Sequence, residues 1–348
     1  MTSSSSNLDF NNGDVDLILP GRKYRVHKAI LSDKSEVFKD LFSIAHSTSP
    51  SEEIPAIEMQ DDREPFTLFL RLLYDHDLDH YIPKLARGTT NLISRTLDLV
   101  DKYSVLQAPM YAKLIPYITR DWPSTLEDWD ANEENILQLK VKFEEDPEAL
   151  DQQLPEPASV IRFAYQYALS EKATQQIPEY LPAAFYHLSR LPPYADDGDP
   201  TLNAGDYWDV EGLRTAKRSL LRHQDMICLL HGMDELRLVA ARIAVTEFLD
   251  RADEEEALEQ ERCAMQNWWR KVGVAKLLGP HAMPDVLAQC KHLINSLEDG
   301  STEAESEALR QATSRQYRER MQKYLGDMRE EIWNSLAINK FSLYAFFY

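Results

Sequence analysis

Residues 13–42, GDVDLILPGRKYRVHKAILSDKSEVFKDLF, constrain the fold more than any other stretch of this chain. Val15, Leu17 and Leu19 alternate with Asp16 and Ile18, the period-two pattern of a strand with one buried face. Pro20-Gly21 comes next. Proline fixes φ at the first turn centre and glycine tolerates positive φ at the second, so the pair encodes a chain reversal of type II character. Tyr24 and Val26 restart the alternation, and the spacing predicts a hairpin. Ala29, Ile30 and Leu31 then make a short apolar helical turn. Ser32 or Ser35 can cap the next helix, because a serine hydroxyl accepts from an orphan N–H of a first helical turn. Val37, Phe38, Leu41 and Phe42 recur at helical spacing as an apolar stripe.

Similar signals continue downstream. Residues 54–59, IPAIEM, read as a third strand. Phe66, Phe69, Leu70, Leu73 and Tyr74 give an amphipathic helix with Pro65 in its first turn, where proline is tolerated. Two further helices carry stripes at Leu92, Leu97, Val100 and Tyr103, and at Met110, Leu114, Tyr117 and Ile118. The order is hairpin, two short helices, third strand, three helices.

That order and its residues resemble the BTB/POZ domain. Asp14-Val15, Leu17-Ile18-Leu19, Gly21, Tyr24, Val26, His27-Lys28-Ala29-Ile30-Leu31, Ser35, Val37-Phe38 and Leu41-Phe42 are similar to its signature. Phe66 with Phe69–Tyr74 resembles the third helix of the family, and Leu97–Tyr103 its fourth. The likeness spans about a hundred residues, with a longer 75–91 connection. It implies a short three-stranded sheet flanked by helices over 13–120, and a scaffold that self-associates as a homodimer and recruits partners. Many members connect a substrate to a cullin-based ubiquitin ligase, and such adaptors carry an apolar–x–Glu triplet after the second helix. Here that place reads Ile44-Ala45-His46-Ser47-Thr48, without a glutamate. The resemblance implies interaction roles for Asp14, His27, Lys28, Phe42 and Tyr74. For His27 the simpler role is to order a helix start by hydrogen bonding. For Asp14 a structural role weighs more than a contact in a charged pocket at a dimer face.

The rest of the chain has a different pattern. Residues 1–12 are Ser/Asn-rich and read as a flexible lead-in, and 121–157 as an acidic, proline-punctuated linker with one short helix around 132–144. From Ala158 to the end the pattern is all-α, a helical C-terminal domain over 158–348. One stripe is Val160, Ile161, Ala164, Tyr167 and Ala168; another is Leu181, Phe185, Leu188 and Leu191. A Pro/Asp/Gly-rich loop over 192–208 precedes helices at 210–222, 224–231, 233–251, 255–278, 284–297 and 302–337. Gly232 and Gly279 fall where helix C-caps belong, and Thr302 with Glu305 forms a capping box. The acidic run Asp253–Glu256 reads as a solvated helix start. The segment Leu181–Arg190 resembles the helical region after BTB domains in the large families of mushroom-forming fungi.

Chemistry-bearing motifs are sparse. There is no phosphate-binding glycine loop, G-x-S-x-G, H-E-x-x-H or paired C-x-x-C. His223, Cys228, His231, Cys263, Cys290 and His292 lack the tight pair spacing of structural zinc, and the thiols read as core residues. Neither catalytic residues, a metal nor a cofactor is expected. A polar pocket with perturbed acids in the helical region would instead point to an enzyme. A formal net charge of −20 opposes phosphate backbones and anionic membranes. The first residues lack the charged and apolar regions of a secretory signal, and three cysteines cannot all pair, so an intracellular protein is expected, in cytoplasm or nucleus. Trp268-Trp269 is expected at a helix junction, and the aromatic tail 341–348 to dock on the helical domain or a second subunit.

Overall fold

The hairpin forms where the alternation puts it. In the computed structural model, which describes residues 8–46, 54–168, 177–191, 216–245, 256–279, 285–298 and 304–336, strand β1 (Val15–Leu19) pairs antiparallel with β2 (Arg22–Val26). Gly21 sits at φ +74°, the positive value the turn demands. Val15, Leu17 and Leu19 are buried, while Ile18 faces outward. Asp16 is buried too, because Arg25 (2.8 Å) and Lys23 (3.2 Å) on β2 reach across to it. The Arg25 hydrogen bond holds its carboxyl below the ordinary aspartate range, against the effect of burial.

Strand β3 (Ala56–Glu58) joins β1 in parallel, so the sheet order is β2-β1-β3. A parallel neighbour cannot be reached by a tight turn. The chain gets there through α1 (Lys28–Lys34) and α2 (Glu36–His46). Helices α3 (Arg63–Leu73), α4 (Thr89–Lys102) and α5 (Gln107–Asp121) complete this part. Its centre is a ring stack in which Tyr103 lies 4.6 Å from Phe38 and 5.4 Å from Phe69, centroid to centroid. Phe38 and Phe42 point into this core, whereas Val37, one residue round the helix, is 37% exposed.

Segment 121–157 differs from the expected linker with one short helix. It holds α6 (Leu126–Lys142), capped by Thr125, and α7 (Pro147–Gln152), capped by Asp146. Trp129 and Ile136 are buried on α6, and Leu85, Ile136, Leu150 and Leu154 form a small core of their own. An Arg87–Asp151 ion pair at 3.0 Å, both side chains 8% exposed, ties the 75–91 connection to α7. Of the acidic residues that suggested a linker, Glu127, Asp128 and Glu148 instead sit in first helical turns, where the helix dipole favours them, and Asp146 is a helix cap.

The region beyond is largely helical, as expected, with α8 (Pro157–Phe163), α9 (Leu181–Ser189), α10 (His223–Val245), α11 (Glu256–Trp268), α12 (Val274–Leu278), α13 (Val286–Ser296), α14 (Ala304–Ala312) and α15 (Arg315–Ser335). Gly279 does sit just past a helix end, but Gly232 does not. Helix α10 runs straight through it, because Gly232 is buried within a continuous packed face. The single helix expected over 302–337 is two, broken at Thr313, with Ser314 capping α15. Of the stretch expected as helix 210–222, the described part contains only a 3-10 turn, Arg218–Leu220. The 192–208 loop, Thr302, the acidic residues Asp253, Glu254 and Glu255, and the aromatic tail lie outside the described residues.

Trp268 and Trp269 are both 4% exposed. Adjacent α-helical side chains diverge by about 100°, yet both rings join the same hydrophobic core, 6.3 Å apart centroid to centroid. A π turn, Trp269–Gly273, rewinds the helix at this point. Gly273 permits it: a Cβ there would lie 2.4 Å from Cε3 of Trp269. The Trp269 indole donates to the carbonyl of Ala244 at 3.0 Å, docking the end of α11 on α10.

Candidate functional site

Four of the five residues singled out for interaction converge at the start of α1. The backbone N–H of Lys28 donates to Asp14 Oδ1 at 2.7 Å, satisfying one orphan donor of the first turn. The N–H of His27 donates to the Tyr74 hydroxyl at 2.8 Å, and the His27 Nδ1 lies 3.2 Å from the same oxygen. The end of the lead-in expected to be flexible is instead packed: Leu8 is buried in the core, the N–H of Phe10 donates to the carbonyl of Arg25 at 2.9 Å, and the Phe10 ring stacks on Tyr74 at 4.7 Å and meets the His27 ring, tilted, at 5.0 Å. Burial raises the Tyr74 hydroxyl above the usual tyrosine range. This is an ordering cluster: strand β1, helix α1 and the end of α3 are held at one point. Phe42 is not part of it. That ring is 3% exposed and stacks on Phe38 at 5.7 Å, so within one chain it is a core residue.

The exposed apolar side chains of this part lie elsewhere. Ser35 donates to the carbonyl of Tyr103 at 2.6 Å and accepts from the N–H of Phe38 at 3.1 Å. The bond brings the start of α2 against the turn between α4 and α5, where Ser104 takes φ 51°. Near this junction Val37 (37%) and Leu106 (77%), and further along α2 Ile44 (67%), present aliphatic surface to solvent, as do Ile18 and Ile54 (37% each). The helical stripe read from sequence did not separate Val37 from its buried neighbours, and Ile44 and Leu106 carried no signal of their own.

A second feature, invisible in the sequence, lies in the helical region. Asp130, Glu133 and Glu134 of α6 face Lys291, His292 and Asn295 of α13 across a cavity of about 350 Å³. At its base Arg190, just after α9, donates to both carboxylate oxygens of Glu133 (2.9 and 2.8 Å) and to Asp285 Oδ2 (2.5 Å). The Tyr186 hydroxyl donates to Asp285 Oδ1 at 2.6 Å and accepts from the N–H of Leu287 at 3.0 Å. Asp285 also caps α13 through the N–H of Ala288. Arg329 of α15 donates to Asp130 at 2.6 Å and to the carbonyl of Leu287 at 3.0 Å. Burial works against ionisation of Asp285, but the Arg190 charge and these hydrogen bonds outweigh it and hold the carboxyl below its ordinary range. The same burial, with Asp285 alongside, drives the Tyr186 hydroxyl well above the usual tyrosine range. The buried acid is thus kept charged and paired, which suits binding and positioning more than proton transfer.

Among the described residues no group of three His, Cys, Asp or Glu side chains could hold a metal ion. His223, Cys228 and His231 share α10, with only the thiol buried. The three cysteines do not share one fate: Cys228 and Cys290 are core residues, but Cys263 is exposed, on the outer side of α11. No helix of the described residues is long and apolar enough to cross a membrane.

The family model of the BTB/POZ domain matches residues 7–105. The N-terminal part of the chain is therefore a BTB/POZ domain, a protein–protein interaction module, and a largely helical region succeeds it. No curated protein and no solved structure matches the chain.

Proposed function

We propose that this protein is an interaction scaffold: residues 13–120 self-associate and bind partners, and the helical region beyond, α6 and α7 of segment 121–157 together with the domain over 158–348, recruits a further partner. The observation that carries this is the exposure of the aliphatic side chains Val37 and Ile44 on α2 and Leu106 at the start of α5, on a domain whose family binds proteins. In this reading Asp14, His27, Lys28 and Tyr74 act indirectly, by fixing α1, and Phe42 by holding α2 from inside. The likeness of Leu181–Arg190 to helical regions of fungal BTB proteins supports treating domain and extension as one working unit.

Light scattering of the full chain tests self-association: a dimer at tens of micromolar is expected. A monomer throughout that range removes it. Ile44→Asp with Leu106→Asp tests this surface. Both side chains are solvent-facing, so the fold should stand while capture of partner proteins is lost. Capture unchanged by the double substitution would move the binding surface elsewhere.

A further inference from the structure

The cavity between α6 and α13 is not used by the BTB/POZ domain, and its charges do not balance. Four carboxylates line it (Asp130, Glu133, Glu134 and Asp285) against three Arg/Lys cations (Arg190, Lys291 and Arg329), an excess of one negative charge over those groups. Arg190 serves Glu133 and Asp285, and Arg329 with Lys291 serves Asp130. Glu134, at the rim, is the exposed carboxylate of the set. The whole chain carries −20, so its long-range field also draws cations.

The face of α6 that lines the cavity does not stop at its edge. At about 100° per residue, Asp130, Glu134, Leu137 and Val141 fall within roughly 60° of one another. Leu137 is 39% exposed and Val141 77% exposed. Along one helix face, a rim carboxylate thus leads to two uncovered aliphatic side chains. The cavity, at about 350 Å³, is near the lower end of the range for small-ligand sites, roughly 300–1,000 Å³, and suits one long side chain better than a folded element.

We propose that this cleft binds a segment of a partner protein that places a lysine or arginine side chain against Glu134 and an apolar side chain over Leu137 and Val141. The proposal rests on the reading of the helical region as partner-recruiting. Charge selects the basic anchor, and the uncovered aliphatic rim selects its apolar neighbour. The buried arginine–carboxylate network keeps α6 and α13 apart as rigid walls.

The test uses the full chain and three probes: a short labelled lysine–leucine peptide, its glutamate–leucine counterpart, and hexylamine. Fluorescence anisotropy should show saturable binding of the lysine–leucine peptide alone. Glu134→Lys should weaken it about tenfold and Val141→Ser severalfold, while Glu305→Lys, the same charge change at the start of α14, leaves it unchanged. Equal loss in Glu305→Lys would mean attraction to net charge only and would overturn the site. So would binding of the glutamate–leucine peptide. Hexylamine competing as well as the peptide would make the ligand a free organic amine and overturn the partner segment. Light scattering on the same samples keeps the two readings apart. A monomer that binds the peptide through Glu134 upholds the cleft while self-association fails.

Discussion

Replacing Arg190 with methionine tests the reasoning about the helical region most directly. The Arg190 side chain is 5% exposed, and of the acidic side chains it serves Asp285 is 2% exposed and Glu133 17%. Methionine keeps much of the apolar stem and removes the charge. Glu133 can then turn towards water, but Asp285 cannot, and it is left with the Tyr186 hydroxyl and the Ala288 N–H. Breaking a buried pair by removing one partner costs about 3–5 kcal/mol, because the remaining charge stays desolvated. Partial escape of Glu133 places the expectation at the lower end, about 3 kcal/mol. Urea unfolding monitored by tryptophan fluorescence reads this well, since the Arg190 guanidinium lies 4.9 Å from the Trp129 ring.

The pH dependence has a definite sign. In the parent protein the folded-state value of Asp285 is depressed, so its stabilisation is present above the unfolded aspartate value, about 3.9, and is lost as pH falls through the folded one. In Arg190→Met the cation is gone and burial dominates, so the folded value rises above the unfolded one. The variant then regains stability relative to the parent as pH falls from neutrality, and the difference between them shrinks on acidification. A loss below about 1 kcal/mol at pH 7, the size of an exposed pair, would refute the buried-network argument. A difference that stays constant down to about pH 4, the region where aspartates titrate, would refute the assignment of its cause to Asp285.

Three other outcomes rest on local geometry. The exposed Cys263 should react quickly with a thiol reagent in the native protein, whereas Cys228, pushed up to about 11 by burial, and Cys290, pushed up to about 12, should react only on unfolding; three equally fast thiols would contradict the packing of α10 and α13. Ser35→Ala removes a hydroxyl that caps α2 and holds the Tyr103 carbonyl, and should cost about 1–2 kcal/mol in chemical denaturation. Gly273→Ala forces a methyl into the Trp269 ring and should lower stability by about 1–3 kcal/mol, visible as a reduced melting temperature. An unchanged melting temperature would mean that the π turn is not what seats the tryptophan pair.

The BTB/POZ part was legible because its signals are local. The alternation around Pro20-Gly21, the Ser35 cap and the Phe66–Tyr74 stripe each act within a few residues, and all agree with one another. Segment 121–157 misled because its acids and prolines look alike in a linker and in capped helix starts. Only the meeting of Ile136 and Leu150 with Leu85 distinguishes the two. Gly232 misled for a similar reason, since a glycine buried within a packed helix and one that ends a helix are the same letter.

The candidate sites divide along the same line. Asp14, His27, Lys28 and Tyr74 could be named from sequence, and the structure brings them to one point through hydrogen bonds of 2.7–3.2 Å. Those bonds tie the start of α1 to Asp14 and Tyr74. The α6–α13 cavity could not be read at all: its residues come from Trp129 to Arg329, and although α6 and α13 each supply several at helical spacing, nothing local says that the two helices face one another. By itself the sequence determined the sheet, its flanking helices and the helical character of the C-terminal region, since periodicity and turn chemistry act over a few residues. Which aliphatics stay uncovered, which acid keeps its charge and where a cleft opens were decided by tertiary structure. Exposure and pairing depend on neighbours as far apart in the chain as the 199 residues that separate Arg329 from Asp130.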